Sequence, residues 1–164
     1  MTRLTLPRRR PPARGVVLLA AFVLAALSGC SATNPITTAG SYEPSDGSSA
    51  EIDGVRAGNL ILLTAAEGAT GTLLGYLTNS GDRSARVALG LPDGAALGSE
   101  LRLRAGETVI LGPDGDIELR LESVPAPPGA YVSLTMTTGS GSVAVSVPVL
   151  DGTFPQYADL VPDE

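Results

Sequence analysis

The sequence predicts an all-β fold, a single β-sandwich of seven to nine strands over residues 51–150. Three observations carry that expectation. Apolar and polar residues alternate with period two in several short runs, the pattern of a strand with one face in a core. Clusters of Gly, Pro, Asn and Asp separate those runs and supply turn chemistry. No stretch after residue 30 keeps a helical period free of Gly or Pro. Short strands at this spacing form a sandwich, and a domain of about 100 residues buries roughly 65% of its unfolded surface, enough for one core.

The elements follow in chain order. Leu60–Thr64, Thr72–Asn79 and Arg86–Leu91 are β-like runs of less regular pattern. Leu101 and Leu103 alternate with Arg102 and Arg104, and Thr108–Leu111 is a further short run. Ile117, Leu119 and Leu121 alternate with Glu118, Arg120 and Glu122. Val132, Leu134 and Met136 alternate with Ser133, Thr135 and Thr137. Val143, Val145, Val147 and Val149 alternate with Ala144, Ser146 and Pro148. Turns are expected at Asn79-Ser80-Gly81-Asp82, Pro92-Asp93-Gly94, Pro113-Asp114-Gly115 and Gly139-Ser140-Gly141. Pro148 lacks a backbone donor, which puts the last strand at an edge or ends it there. Residues 151–164 form an acidic, Pro-containing tail whose Phe154 and Tyr157 are candidates to dock on the sandwich.

The start of the chain reads as an address. Arg3, Arg8, Arg9, Arg10 and Arg14 precede an apolar run from Val16 to Leu27. That run is shorter than the roughly 20 residues a membrane span needs. Basic region, short apolar region and small residues together make a secretory signal over residues 1–29. Arg8-Arg9 is followed by Arg10-Pro11-Pro12, which lacks the apolar positions of a twin-arginine signal, so the general export route is expected. Leu27-Ser28-Gly29-Cys30 matches the bacterial lipobox. The thiol takes diacylglycerol, small side chains let the backbone into the peptidase cleft, and the cut falls between Gly29 and Cys30. Two or three acyl chains anchor stably where one is marginal, at about 0.8 kcal/mol per buried methylene. The expected location is the extracytoplasmic face of the cell membrane, with lipid on Cys30. Residues 30–50 then form a tether rich in Ser, Thr, Gly and Pro, too polar to offset ordering entropy.

Composition excludes several chemistries. The 164 residues contain no His, no Lys and one Cys. No disulfide forms within the chain, and a Cys/His zinc site, a Ser-His-Asp triad and a Cys-His dyad are ruled out. From Cys30 onward six arginines face 17 acids, a net charge of −11. Such a chain repels nucleic acid and anionic headgroups, so no nucleic-acid partner is expected. Hydroxyls are abundant, but without His or Lys a serine nucleophile has no ordinary base. Paired carboxylates for glycoside hydrolysis sit roughly 5–10 Å apart across a cleft, and nothing marks such a pair. No catalytic residues and no cofactor are expected.

Three segments resemble a known family. They are Gly75-Tyr76-Leu77-Thr78-Asn79-Ser80-Gly81-Asp82, Leu103 through Gly115, and Pro128-Gly129-Ala130-Tyr131 running on to Val149. Their order and spacing are similar to periplasmic copper chaperones of the PCu(A)C type, over about 80 residues. With the lipobox and Tyr42-Glu43-Pro44-Ser45-Asp46-Gly47, the whole chain resembles actinobacterial lipoproteins of the LpqE-like group. The resemblance implies an immunoglobulin-like or cupredoxin-like sandwich and, in the family, a Cu(I) site of His and Met ligands, soft donors that suit that ion. Here the ligands do not carry over. Where a His-x-Met pair would sit, after Gly115, stand Asp116, Ile117, Glu118 and Leu119; the stretch from Arg83 to Glu100 has neither His nor Met. No metal site is expected.

The remaining candidates have simpler readings. Met136 sits among period-two apolar neighbours, which assigns it to the core. Asp114, Asp116 and Glu118 suggest a hard-cation site, but calcium takes six to eight oxygens from a longer loop, and Pro-Asp-Gly-Asp reads as a hairpin turn. Arg102, Arg104 and Arg120 beside Glu118 and Glu122 suggest either an anion patch or solvent-face ladders across strands, the latter preferred. The reading reached is a membrane-anchored, non-catalytic binding or accessory domain of unknown ligand, meeting an envelope protein through a sheet face or edge strand. A copper carrier and, last, a carboxylate hydrolase are the alternatives.

Overall fold

A computed structural model of the chain describes Gly15, Val17 and residues 45–162. The signal sequence, Gly29 and Cys30 with the lipobox, and most of the tether lie outside the described residues.

Residues 45–162 are all-β, with nine strands: β1 Ser48–Ile52, β2 Val55–Thr64, β3 Gly71–Asn79, β4 Ala85–Gly90, β5 Leu101–Leu103, β6 Thr108–Leu111, β7 Leu119–Leu121, β8 Tyr131–Thr137 and β9 Ser142–Leu150. One layer is β1-β2-β3-β6, with β7 on the far end of β3; the other is β9-β8-β4-β5. Two links close the sandwich. On one side β9 runs parallel to β2 at Leu62↔Val149 and Leu63↔Leu150. On the other, Arg104–Glu107 carries the chain from β5 in one layer to β6 in the other.

The core forms where the alternation predicted. Leu103, Val132, Leu134, Met136, Val145, Val147 and Val149 are buried, and their polar neighbours Arg102, Ser133 and Ser146 are exposed. Each such side chain contributes roughly 1.5–3 kcal/mol by leaving water. The less regular β2 run has a local cause. Val55, Ala57, Leu60 and Leu62 all belong to the core, yet the step from 57 to 60 is three residues. Asn59 absorbs the extra residue as a bulge, with φ +50° and a register shift between Gly58 and Ile61. Gly75 faces this bulge at φ +139°, and a Cβ there would lie 2.7 Å from the Gly58 carbonyl oxygen, so only glycine fits.

Two boundaries differ from expectation. β1 begins at Ser48, inside the stretch read as tether, and Gly47 is buried with its N–H donating to Asn59 Oδ1 at 3.1 Å. β1 was missed because Ser-Ser-Ala has no apolar alternation; Asp53-Gly54, with φ of 54° and 73°, turns it into β2 as a two-residue hairpin. The last strand is neither an edge nor cut short at Pro148. It lies between β8 and β2 and runs to Leu150. Val149 donates to the Ala130 carbonyl at 2.9 Å, so Pro148 falls at the alternate, unbonded position of the β8–β9 ladder, and pairing with β2 starts one residue later. Beyond β9 the tail folds back through turns. Phe154 and Tyr157 pack edge to face at 6.4 Å, and the Tyr157 hydroxyl donates to Asp46 at 3.3 Å. Burial first, and Asp46 second, push the Tyr157 phenol above its ordinary range.

Candidate functional site

The two segments in which the resemblance puts metal ligands do come together, but over hydrocarbon. The β4–β5 loop is held by its own backbone: Leu91 N–H donates to Ala95 at 2.7 Å, Gly94 N–H to Leu91 at 3.0 Å, and Leu97 N–H to Leu89 at 2.8 Å. This tucks Leu97 inward to 1% exposure. Gly98 follows at φ +74°, so close to β7 that a Cβ would sit 2.9 Å from Leu119 Cδ2. Leu119 is itself only 3% exposed. The meeting point of loop and strand is therefore occupied by Leu97, Gly98 and Leu119, none of which donates electrons to an ion. An open cleft of about 910 Å³ lies beside it, bounded by Thr70, Leu91, Ala96, Arg120 and Leu121.

The acidic residues nearby are engaged in structure. Asp116 Oδ2 accepts from the Ile110 amide at 2.8 Å, and the Asp116 amide returns a bond to the Ile110 carbonyl at 2.9 Å. Gly115 N–H donates to Gly112 at 3.1 Å, which makes Pro113-Asp114-Gly115 the turn that was expected. Glu118 binds Arg120 at 2.8 Å. Among the described residues no three of the carboxylate, thiol or imidazole groups gather into a metal-holding cluster. Met136 is fully buried between register partners Val143 and Leu89, a core residue as its neighbours predicted.

The arginines do not form the cross-strand ladders expected of them. Arg120 pairs with Glu118 two residues away, Arg104 with Glu107 three residues away at 3.6 Å, and Arg102 donates to Ser84 Oγ at 3.2 Å. The register explains this. Arg102 lies opposite Arg86, and Arg120 opposite Thr72, so no carboxylate stands across from either. These exposed pairs are worth at most about 1 kcal/mol each.

Sequence reasoning missed the best-connected polar residue. Asn79, 1% exposed at the end of β3, donates from Nδ2 to the carbonyls of Arg83 (2.7 Å), Arg104 (3.0 Å) and Leu103 (3.3 Å), and accepts from Gly81 N–H at 3.0 Å. Its backbone also bonds Glu107 and Gly106. Asn79 thus ties the start of β4 and the β5–β6 crossover to the β1-β2-β3-β6 layer. It was legible only as a turn former, because an Asn before Ser-Gly-Asp signals an Asx turn and nothing in the sequence tells which distant carbonyls it reaches. Beside it a second cleft of about 390 Å³ is lined by Asp53, Arg83, Ser84, Arg86, Thr138 and Ser140, among others. The Asp53 carboxylate accepts from both the Ser140 and Thr138 hydroxyls, which hold it below the ordinary carboxylate range and join the β1–β2 turn to the β8–β9 turn.

Two solved structures share this architecture. The apo PCuAC domain from PmoF1 superposes with a TM-score of 0.53 at 15% identity, over 62% of this chain and 97% of that domain. The apo PmoF2 PCuAC domain gives 0.51 at 18% identity, over 65% of this chain and 97% of that one. The fold is PCuAC-like. At these identities the likeness is one of fold, a cupredoxin-like sandwich, as the resemblance implied. No protein-family model matches the sequence, and neither does any curated protein.

Proposed function

We propose that the chain is an extracytoplasmic lipoprotein of the LpqE-like group, held at the membrane by lipid on Cys30. Its PCuAC-like sandwich serves as a non-catalytic binding or accessory module and carries no copper. The observation that supports this most strongly is the packing of Leu97, Gly98 and Leu119 where the two ligand-bearing segments of the resemblance meet. Cu(I) needs several soft donors at one point, and the chain offers hydrocarbon there. The one thioether beyond residue 30 is Met136, sealed in the core. The alternative, a copper carrier, draws on the fold alone.

A partner in the envelope meets this module on a sheet face or on an edge strand other than β6. The outer edge of β6 is closed by its own following loop, since Gly112 N–H donates to Ile117 at 3.0 Å and Ile117 N–H donates to Ile110 at 3.2 Å. That covers the β6 edge against strand addition.

The anchor is tested with Cys30→Ala. The variant is expected to leave the detergent phase, or to persist as an uncleaved precursor, while wild type partitions with membranes and carries a mass increment on Cys30. Equal membrane partition of the two proteins, with an unmodified thiol in the wild type, would contradict the proposal.

A further inference from the structure

Four of the six arginines beyond residue 30 fall between positions 83 and 104, where the only acids are Asp93 and Glu100, although the chain beyond residue 30 is strongly acidic. The fold concentrates them further. Arg86 on β4 and Arg102 on β5 are direct register partners, and both are exposed. Paired residues on adjacent strands point to the same face, and like charges directly opposite each other destabilise a sheet. Arg102 leans toward the β4 start, where its Nη2 donates to Ser84 Oγ at 3.2 Å. Arg83, Ser84 and Arg86 line the 390 Å³ cleft. Arg83 and Arg86 therefore stand on the wall of a concavity, and Arg102 is held beside it through Ser84.

The neighbouring carboxylates answer this charge in part. Glu100 approaches Arg86 only at 3.9 Å, and Glu107 is taken by Arg104. Asp53 accepts from Thr138 and Ser140, and Asp82 also lines the cleft. Among the described residues neither Arg83 nor Arg102 has an ion pair with a carboxylate.

We propose that Arg86 and Arg102, opposite each other on β4 and β5 with Ser84 beside them, bind a phosphate-type oxyanion at the edge of this cleft, with Arg83 on the adjoining wall. Guanidinium forks match oxyanions bidentately, and an anion between Arg86 and Arg102 replaces their repulsion with two attractions. A phosphate has more oxygens to share among three forks than a carboxylate has. The net charge of −11 disfavours long polyanions, whose remaining charges meet the rest of the surface, so the ligand is a small phosphate or a single phosphate ester. This inference stands independently of the copper-free reading.

The test is an NMR titration of the full-length protein in neutral detergent, observing arginine Nε and backbone amides. The probes are inorganic phosphate and glycerol phosphate, with sodium chloride at matched ionic strength as control. The expected result is saturable movement of Arg83, Arg86, Arg102 and Ser84 with a Kd of about 1 mM. The double variant R86Q/R102Q is expected to weaken binding by about tenfold or more. Without phosphate it melts at or above the wild type, because a repulsive pair is gone. Tighter binding of glycerol phosphate would assign the site to an esterified headgroup, and equal or tighter binding of inorganic phosphate to the free ion. No saturable shift, or equal movement of Arg56 and Arg120, would overturn the proposal, as would R86Q/R102Q binding phosphate like wild type.

Discussion

Val145→Asp is expected to unfold the domain at room temperature. Val145 is 6% exposed on β9, in register with the fully buried Leu134, and belongs to the main core. A carboxylate there has no partner, and an unpaired buried charge costs several kcal/mol, about 3–5 when a pair is broken. A domain of this kind has only about 5–15 kcal/mol in total. Ser146→Asp, one residue along and exposed, should shift stability by no more than about 0.5 kcal/mol. Circular dichroism melts of the two variants read the facing of β9 directly. If Val145→Asp melted like the wild type, the inward face would have been misassigned.

The second large effect is expected at Asn79. Replacement by Leu conserves much of the volume but removes the side-chain bonds to three carbonyls and to the Gly81 N–H, of which the Arg104 carbonyl keeps the Glu107 amide. Leaving a buried polar group unsatisfied costs roughly 1–3 kcal/mol, and the groups here are coupled, so a loss of about 3 kcal/mol is expected. The midpoint of urea unfolding should fall with its slope unchanged. Amide exchange at Gly81 and Gly106 should quicken more than exchange in β8, since Asn79 bonds the crossover and the start of β4 and makes no bond to β8. A loss below about 1 kcal/mol would show that the crossover holds without this residue.

Much of the sandwich was legible before any coordinates. β8 and β9 alternate cleanly because each turns one face to solvent, and their valines and leucines lie where the period put them. β2 was only partly legible. Its bulge at Asn59 breaks the period, and Leu60–Leu63 are buried on both sides, which hides alternation altogether. β1 and the parallel seam were not legible, since both depend on partners distant in sequence. Pro148 misled for the same reason: its cost depends on which way the nitrogen points in the ladder. The site followed a similar division. The lack of soft donors was readable by inspection. What stands in their place was not, because Leu97 comes from a loop whose path is set by backbone hydrogen bonds. The arginine cluster was present in the sequence as isolated residues, and only the β4–β5 register made Arg86 and Arg102 neighbours.

The central claim is that the PCuAC-like fold here lacks a copper site. It is tested most directly by anaerobic Cu(I) titration of the mature protein, lipidated on Cys30, against a chromophoric chelator. The account predicts that the chelator keeps its copper, with no protein binding tighter than about 1 μM. Stoichiometric withdrawal of Cu(I) from the chelator by the folded protein would contradict it.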